Sequence, residues 1–223
     1  MSAEIDLAVV IPTLNAATTL PRTLAALGRV AECIVADGGS LDGTREIASQ
    51  AGARVIAAPR GRGPQIAAGI AAATRPWLLL LHADTRPQPG WRDACRAHMA
   101  ARPDAAGWFR FTLDSSAPQA RRLERLVAWR SRVLALPYGD QGLLIHRDLL
   151  HRIGGMRPLP LMEDVDLVRR LGRHRLWPLP AAALTSAARW ERDGWTARSA
   201  RNLCCLSLWF LGVPPRLITR LYQ

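Results

Sequence analysis

Ile34-Val35-Ala36-Asp37-Gly38-Gly39-Ser40-Leu41-Asp42-Gly43-Thr44 is the stretch that decides the fold class. A short β-branched run ends on a carboxylate, and small residues follow that let the backbone turn tightly and approach a ligand. Thr44 leads straight into the helical pattern Arg45-Glu46-Ile47-Ala48, so the free N–H groups of a helix start point back at the turn. Such a turn suits a nucleotide: Asp37 accepts from a base or ribose, while Gly38 and Gly39 admit phosphate or sugar. A plain α/β connection looks the same, so the surroundings must decide.

The pattern recurs. Leu7-Ala8-Val9-Val10-Ile11 runs into Pro12-Thr13-Leu14-Asn15, and Trp77-Leu78-Leu79-Leu80-Leu81 into His82-Ala83-Asp84-Thr85. Arg54-Val55-Ile56-Ala57 leads to Pro59-Arg60-Gly61-Arg62-Gly63-Pro64-Gln65. Helical patterns over 18–27, 44–51 and 65–73 separate these runs. Strands alternating with helices of this length predict βαβ units and a parallel sheet buried on both faces. The expected class is α/β: a Rossmann-like, mostly parallel sheet flanked by helices, with a helical C-terminal extension. Ligands bind such sheets beyond the carboxyl ends of the strands. Every polar cluster quoted so far lies at that edge.

At 223 residues the chain reads as a single domain over 1–223 with ample length for a core. Residues 1–100 form a nucleotide-binding half, 101–190 a catalytic half and 191–223 a helical tail. The first apolar run spans only five residues, so no signal peptide is expected. Cys33, Cys95, Cys204 and Cys205 have neither metal nor disulfide spacing, which points to reduced thiols in a cytoplasmic protein. All 30 basic residues are arginine. Without lysine a P-loop NTPase is excluded, and no G-x-G-x-x-G follows the first strand to support a dinucleotide site. Charge is uneven: residues 1–100 carry 10 Arg against 8 acids, and residues 101–223 carry 20 against 10. A basic half of this kind meets nucleic acid, an anionic membrane or a phosphorylated substrate, unless it is merely a solvated surface.

Three polar clusters carry candidate chemistry. His82-Ala83-Asp84 follows a leucine run, and strand alternation would put His82 and Asp84 on one side, spaced to share a cation or phosphate. One carboxylate plus substrate phosphate oxygens is the usual setting for Mg²⁺ or Mn²⁺. Leu161-Met162-Glu163-Asp164-Val165 opens a helix whose apolar positions begin as the acids end. The helix dipole alone favours acids there, yet a carboxylate beside a metal and phosphates also serves as a general base. Tyr138-Gly139-Asp140-Gln141-Gly142 reads as a backbone kink beside a ligand, or as a plain turn.

These clusters, in this order, resemble glycosyltransferase family 2 enzymes of the GT-A fold over essentially the whole chain. Val10-Ile11-Pro12-Thr13-Leu14-Asn15 is similar to the family's first strand and nucleotide loop, and Asp37 to Thr44, with Ser40 and Asp42, to its base- and ribose-binding turn. His82-Ala83-Asp84 stands where the metal-binding D-x-D stands, and Glu163-Asp164 where the base-bearing pair stands. The His-Ala-Asp-Thr, Tyr-Gly-Asp-Gln-Gly and Leu-Met-Glu-Asp-Val segments resemble the radical-SAM/selenodomain-associated transferase subgroup. Two departures matter. The first Asp of D-x-D is His82, which leaves the metal mainly to Asp84. Only Ala188-Arg189-Trp190 remains of the Q-x-x-R-W of processive synthases, so transfer of a single sugar is expected.

The resemblance implies an inverting displacement on a nucleotide-diphosphate sugar. Asp84, with His82 as second ligand, and a divalent Mn or Mg would stabilise the departing diphosphate. Asp164, beside Glu163, would deprotonate the acceptor. Donor-site residues are then Pro12, Thr13, Asn15, Asp37, Gly38, Gly39, Ser40, Asp42, Arg60, Gln65, His82, Ala83 and Asp84, with Tyr138, Asp140 and Gln141 on the acceptor side. The rival reading is a basic peripheral-membrane or nucleic-acid-binding protein on a catalytically degenerate fold. Aromatic residues are too sparse in the basic half for single-strand recognition, so no nucleic-acid partner is expected. Leu203 to Val213 is an apolar run flanked by Trp and Arg, short of the roughly 20 residues a spanning helix needs. It reads as an interfacial segment on the inner membrane face presenting an anionic or lipid-linked acceptor, or as a helix packed on the sheet or in a homodimer contact.

Overall fold

The computed structural model describes residues 5–222. Strands β1 (Ala8–Thr13), β2 (Glu32–Asp37), β3 (Arg54–Ala57) and β4 (Trp77–Leu80) alternate with helices α1 (Leu20–Leu27), α2 (Thr44–Gln50) and α3 (Arg62–Ala72). β1 pairs in parallel with both β2 and β4, and β2 with β3. Side-chain alternation then builds the core on both faces. Val9, Ile11, Leu79 and Leu81 enter one cluster, while Ala8, Val10, Leu78 and Leu80 enter the other. A strand buried on both faces cannot alternate apolar with polar, which is why these runs read as continuous hydrophobics.

The second half completes the sheet differently. After β5 (Thr85–Pro87) and α4 (Trp91–Ala101) come β6 (Ala106–Leu113), α5 (Pro118–Val133), β7 (Leu143–His146), α6 (Arg147–Arg152), α7 (Glu163–Leu171) and β8 (Leu176–Thr185). The eight strands lie in the order β3-β2-β1-β4-β7-β6-β8-β5. β7 runs antiparallel to β4 and β6, and β5 antiparallel to β8. The sheet is therefore mixed, with β1 to β4 forming its parallel block.

Three local differences from the sequence expectation bear on the site. α1 begins at Leu20, two residues later than the pattern suggested. α3 begins at Arg62, earlier than expected, because Pro64 sits within its first turn, where the missing N–H costs nothing. Arg62 is thus a helical residue and not part of a flexible loop. β4 ends at Leu80, so His82 to Asp84 form a turn and strand alternation does not orient them.

The tail folds as α8 (Ala188–Asp193), α9 (Trp195–Phe210) and α10 (Pro215–Tyr222). Part of its apolar run is packed within the fold. Cys205 is buried with Ile218 against Leu161, Val165 and Val168, and Leu206, Leu208 and Trp209 pack on the same cluster. Leu203, Phe210 and Leu211 remain exposed. Among the described residues no helix is long and apolar enough to cross a membrane.

α3 lies unusually close to β1. A Cβ on Gly69 would sit 2.3 Å from Val10 Cγ1, a distance only glycine avoids. Gly69→Ala is expected to destabilise the fold by about 1–3 kcal/mol through overpacking. A urea midpoint equal to wild type would show that the helix shifts freely.

Candidate active site

The turn after β2 is organised by its own carboxylate. Asp37 is buried and accepts from Thr13 Oγ1 at 3.1 Å, Gly39 N at 3.1 Å, Ser40 N at 2.9 Å and Ser40 Oγ at 2.5 Å. Burial pushes its pKa up, but the Ser40, Thr13 and Gly39 donors outweigh this and hold the carboxyl below its usual value. Asn15, at φ 51°, stitches this turn to the loop after β1. Its N–H donates to Ser40 Oγ at 2.8 Å and its Oδ1 accepts from Leu41 N at 2.9 Å. Asp42 accepts from Ala17 N at 3.0 Å and from the Thr44 hydroxyl, which lowers its pKa. Gln65 is a clamp: its Nε2 donates to the carbonyls of Thr13 and Ala36, the latter at 2.9 Å. Pro12 is buried in β1, and Arg60 is exposed on the loop before α3.

Across the sheet edge lies a cavity of about 290 Å³. Arg62, His82, Asp84, Asp140, Asp164 and Arg189 line its polar part, with Tyr138 beside them. Asp164 is fixed at the start of α7 by two backbone donors, Gly139 N to Oδ2 at 2.9 Å and Val165 N to Oδ1 at 2.8 Å. Gly139 is required here, because a Cβ would fall 2.4 Å from His82 Nε2. Met162, which precedes Asp164 by two residues, holds φ 64°, strain of the kind stored at functional sites. Thr185 Oγ1 donates to the Asp140 carbonyl at 3.1 Å, and the Asp84 carbonyl accepts from Ser186 N at 3.1 Å. The β8 end thereby sets both turns. The Ala83 carbonyl accepts from Thr23 Oγ1 at 2.9 Å.

The acids differ in accessibility. The Glu163 side chain is 0% exposed and pairs with Arg62 Nε at 3.1 Å. Burial lifts its pKa to about 7 against the opposing Arg62 charge, with Asp164 adding to the rise. Glu163 is not part of the larger cavity's lining, whereas Asp164 is. His82 Nε2 is buried with no hydrogen-bond partner among the described residues. Burial, reinforced by Arg62, lowers its pKa to about 4 although Asp84 and Asp164 pull it upward. Gln141 is fully buried, accepting from Ser131 Oγ at 2.8 Å and donating to Phe109 O at 3.0 Å. It is occupied within the protein and absent from the cavity wall.

Arg189 is the residue the sequence undervalued. Its Nη2 stands 3.9 Å from Asp84 Oδ2, and only its place in Ala188-Arg189-Trp190 signalled it. Arg130, over the Tyr138 ring at 3.4 Å, had no sequence signal.

Asp140 yields a pH prediction. Burial raises its pKa to about 6, with Arg130 opposing and Asp164 and Asp84 adding. Between its unfolded value and about 6 the native state binds the extra proton, so stability falls as pH rises through that window. Asp140→Asn removes the penalty. Its unfolding free energy should match wild type near pH 3.5 and exceed it by about 2–3 kcal/mol at pH 8. Equal stability at both ends of a denaturation series would show that Asp140 is well solvated.

Comparison with known proteins accords with this geometry. The chain is 30% identical over 186 residues to an uncharacterized glycosyltransferase of Mycobacterium tuberculosis, covering 82% of this chain and 80% of the relative. A Mycobacterium bovis glycosyltransferase, also uncharacterized, matches equally. Among solved structures, glucosyl-3-phosphoglycerate synthase from M. tuberculosis, crystallised with Mn²⁺, UDP-glucose and phosphoglyceric acid, superposes with TM-score 0.63 at 19% identity, over 94% of this chain and 81% of that one. Mannosyl-3-phosphoglycerate synthase from Rubrobacter xylanophilus gives TM-score 0.57 at 16% identity, over 93% and 75%. These two show the fold, which is GT-A. The glycosyl transferase family 2 profile matches residues 8–160, and the chain is a glycosyltransferase belonging to that family.

Proposed function

We propose that the protein transfers one sugar from a nucleotide-diphosphate sugar to an acceptor hydroxyl, with inversion in a single displacement. The supporting observation is Asp164, held by two backbone donors on the wall of a cavity that also contains Asp84, His82 and Arg189. The acceptor oxygen bonds to the anomeric carbon as the bond from that carbon to the diphosphate breaks. Asp164 takes the acceptor proton, and the bonding pair leaves on the diphosphate. Arg189 and Arg62, both on the wall of that cavity, offset the charge that develops there. The loops after β1 and β2, with Asp37 at their junction, receive the nucleoside.

The donor set fits a divalent ion. Asp84 presents a carboxylate to the cavity, and His82 Nε2 is buried, unpartnered and on a ring held neutral down to about pH 4. Among the described residues no group of three or more His, Cys, Asp or Glu could hold a metal. Remaining ligands would therefore be diphosphate oxygens and water, as is usual for such ions. Asp84 and His82 would hold Mn²⁺ or Mg²⁺, and the ion would supply charge stabilisation to the leaving group. The segments around His82, Tyr138 and Glu163, through their resemblance to the radical-SAM/selenodomain-associated transferases, support assignment to that subgroup. Its four free cysteines favour a cytoplasmic setting.

A panel of UDP-, GDP- and TDP-sugars with Mn²⁺, read by thermal shift, tests the reading. A true donor at a hundred times its dissociation constant adds about 2.7 kcal/mol. A panel with no stabilising member and no release of nucleoside diphosphate would overturn it.

A further inference from the structure

The cavity changes character away from Asp164. α5 contributes Leu123, Leu126 and Val127 to its wall, and α9 contributes Leu203 and Leu206. These are not sealed core positions: Leu126 is 57% and Leu203 64% exposed. Among the described residues every exposed large apolar side chain, Leu41 apart, falls between Leu126 and Leu221. The same portion of the chain, 126–221, carries 15 Arg against 7 acids. Apolar side chains set among guanidinium groups match an anionic lipid surface. A small polar acceptor would leave the leucine wall wet, and open apolar patches of this kind mark binding surfaces.

We propose that the acceptor is a membrane-borne amphiphile whose hydroxyl-bearing head reaches Asp164 while its hydrocarbon chain lies between α5 and α9. The proposal rests on the glycosyltransferase reading of the site and adds the acceptor class. The exposed cavity leucines Leu126 and Leu203 meet the lipid layer, with exposed Leu211 beyond the end of α9, so the chain passes from bilayer to cavity without crossing water. Trp209, on the packed side of α9, holds the helix to the catalytic domain, while Cys205 belongs to the same packed cluster and also lines the cavity.

The test uses the full chain and two probes. Hexyl, octyl and decyl β-D-glucosides below their micelle concentrations are titrated against tryptophan fluorescence, since Trp129 and Trp190 line the cavity. Affinity should tighten by about fourfold per added methylene. Leu126→Asp/Leu203→Asp, at positions already more than half exposed, should flatten that dependence while keeping the wild-type melting temperature. Leu41→Asp should leave it intact. In flotation, wild type should rise with phosphatidylcholine vesicles containing phosphatidylglycerol, and Leu203→Asp/Leu211→Asp should stay behind. A flat chain-length series, or one unaffected by the cavity variant, overturns the proposal. Alkyl binding without flotation overturns its membrane source. UDP and GDP binding, measured separately, reports on the donor reading alone, so the two failures are distinguishable.

Discussion

Asp164→Asn is expected to bind donor as wild type does and to transfer sugar about 10²–10⁴-fold more slowly. Asparagine keeps the shape and can still accept from Gly139 N, which donates to Asp164 Oδ2 at 2.9 Å. It cannot take a proton from the acceptor, so the effect falls on turnover and not on donor affinity. Only one backbone donor, Val165 N, is left facing an amide nitrogen, a loss of about 1 kcal/mol near the surface. Steady-state kinetics with a separate donor-binding isotherm check the split. The neighbouring acid is the control. Glu163 has no exposed side chain and its partner is Arg62, so Glu163→Gln should act on stability and on the placement of Arg62. If Glu163→Gln loses turnover to the extent given for Asp164→Asn while Asp164→Asn stays active, the two roles are reversed.

Asp84→Ala should abolish turnover and leave the fold intact. The carboxylate is 19% exposed, faces Arg189 at 3.9 Å and, among the described residues, accepts only a long 3.5 Å contact from the Thr85 hydroxyl. Its removal therefore disturbs little packing. What disappears is the only carboxylate of the His82-Ala83-Asp84 turn, leaving His82 Nε2 as a single neutral ligand for a divalent ion. A loss of at least about 10³-fold is expected, comparable to removing a main transition-state stabiliser. The measurement is turnover against Mn²⁺ concentration, with the unfolding midpoint as fold control. Wild-type activity in this variant would sink the metal assignment.

Sequence alone determined the parallel half of the sheet. The runs at 7–11, 34–37, 54–57 and 77–81 mark β1 to β4, although β1 extends through Pro12 and Thr13, β2 begins at Glu32 and β4 ends at Leu80. Each is a short β-branched or leucine run ended by turn formers, and local periodicity suffices when both faces are buried. It also located the polar edge, since side chains just past such strands emerge at one rim. The antiparallel β7 and the pairing of β6 with β8 were not legible, because they depend on contacts distant in sequence. Nor could adjacency in the chain rank Glu163 and Asp164. Only the approach of α3, carrying Arg62, and of the Gly139 turn buries one acid in an ion pair and leaves the other on a cavity.

The same physics governs charge and the tail. The excess of arginine in residues 101–223 is partly paired, Asp166 with Arg157 and Arg170 and Asp193 with Arg192 and Arg198, and the arginines beyond those pairs leave this half basic. The apolar run Leu203 to Val213 looked uniform in sequence. Helical periodicity splits it, turning Cys205, Leu206 and Trp209 onto α7 and leaving Leu203 and Leu211 outward. Composition counts charges and hydrophobes, but which of them meet one another is set by the packing of elements far apart in the chain.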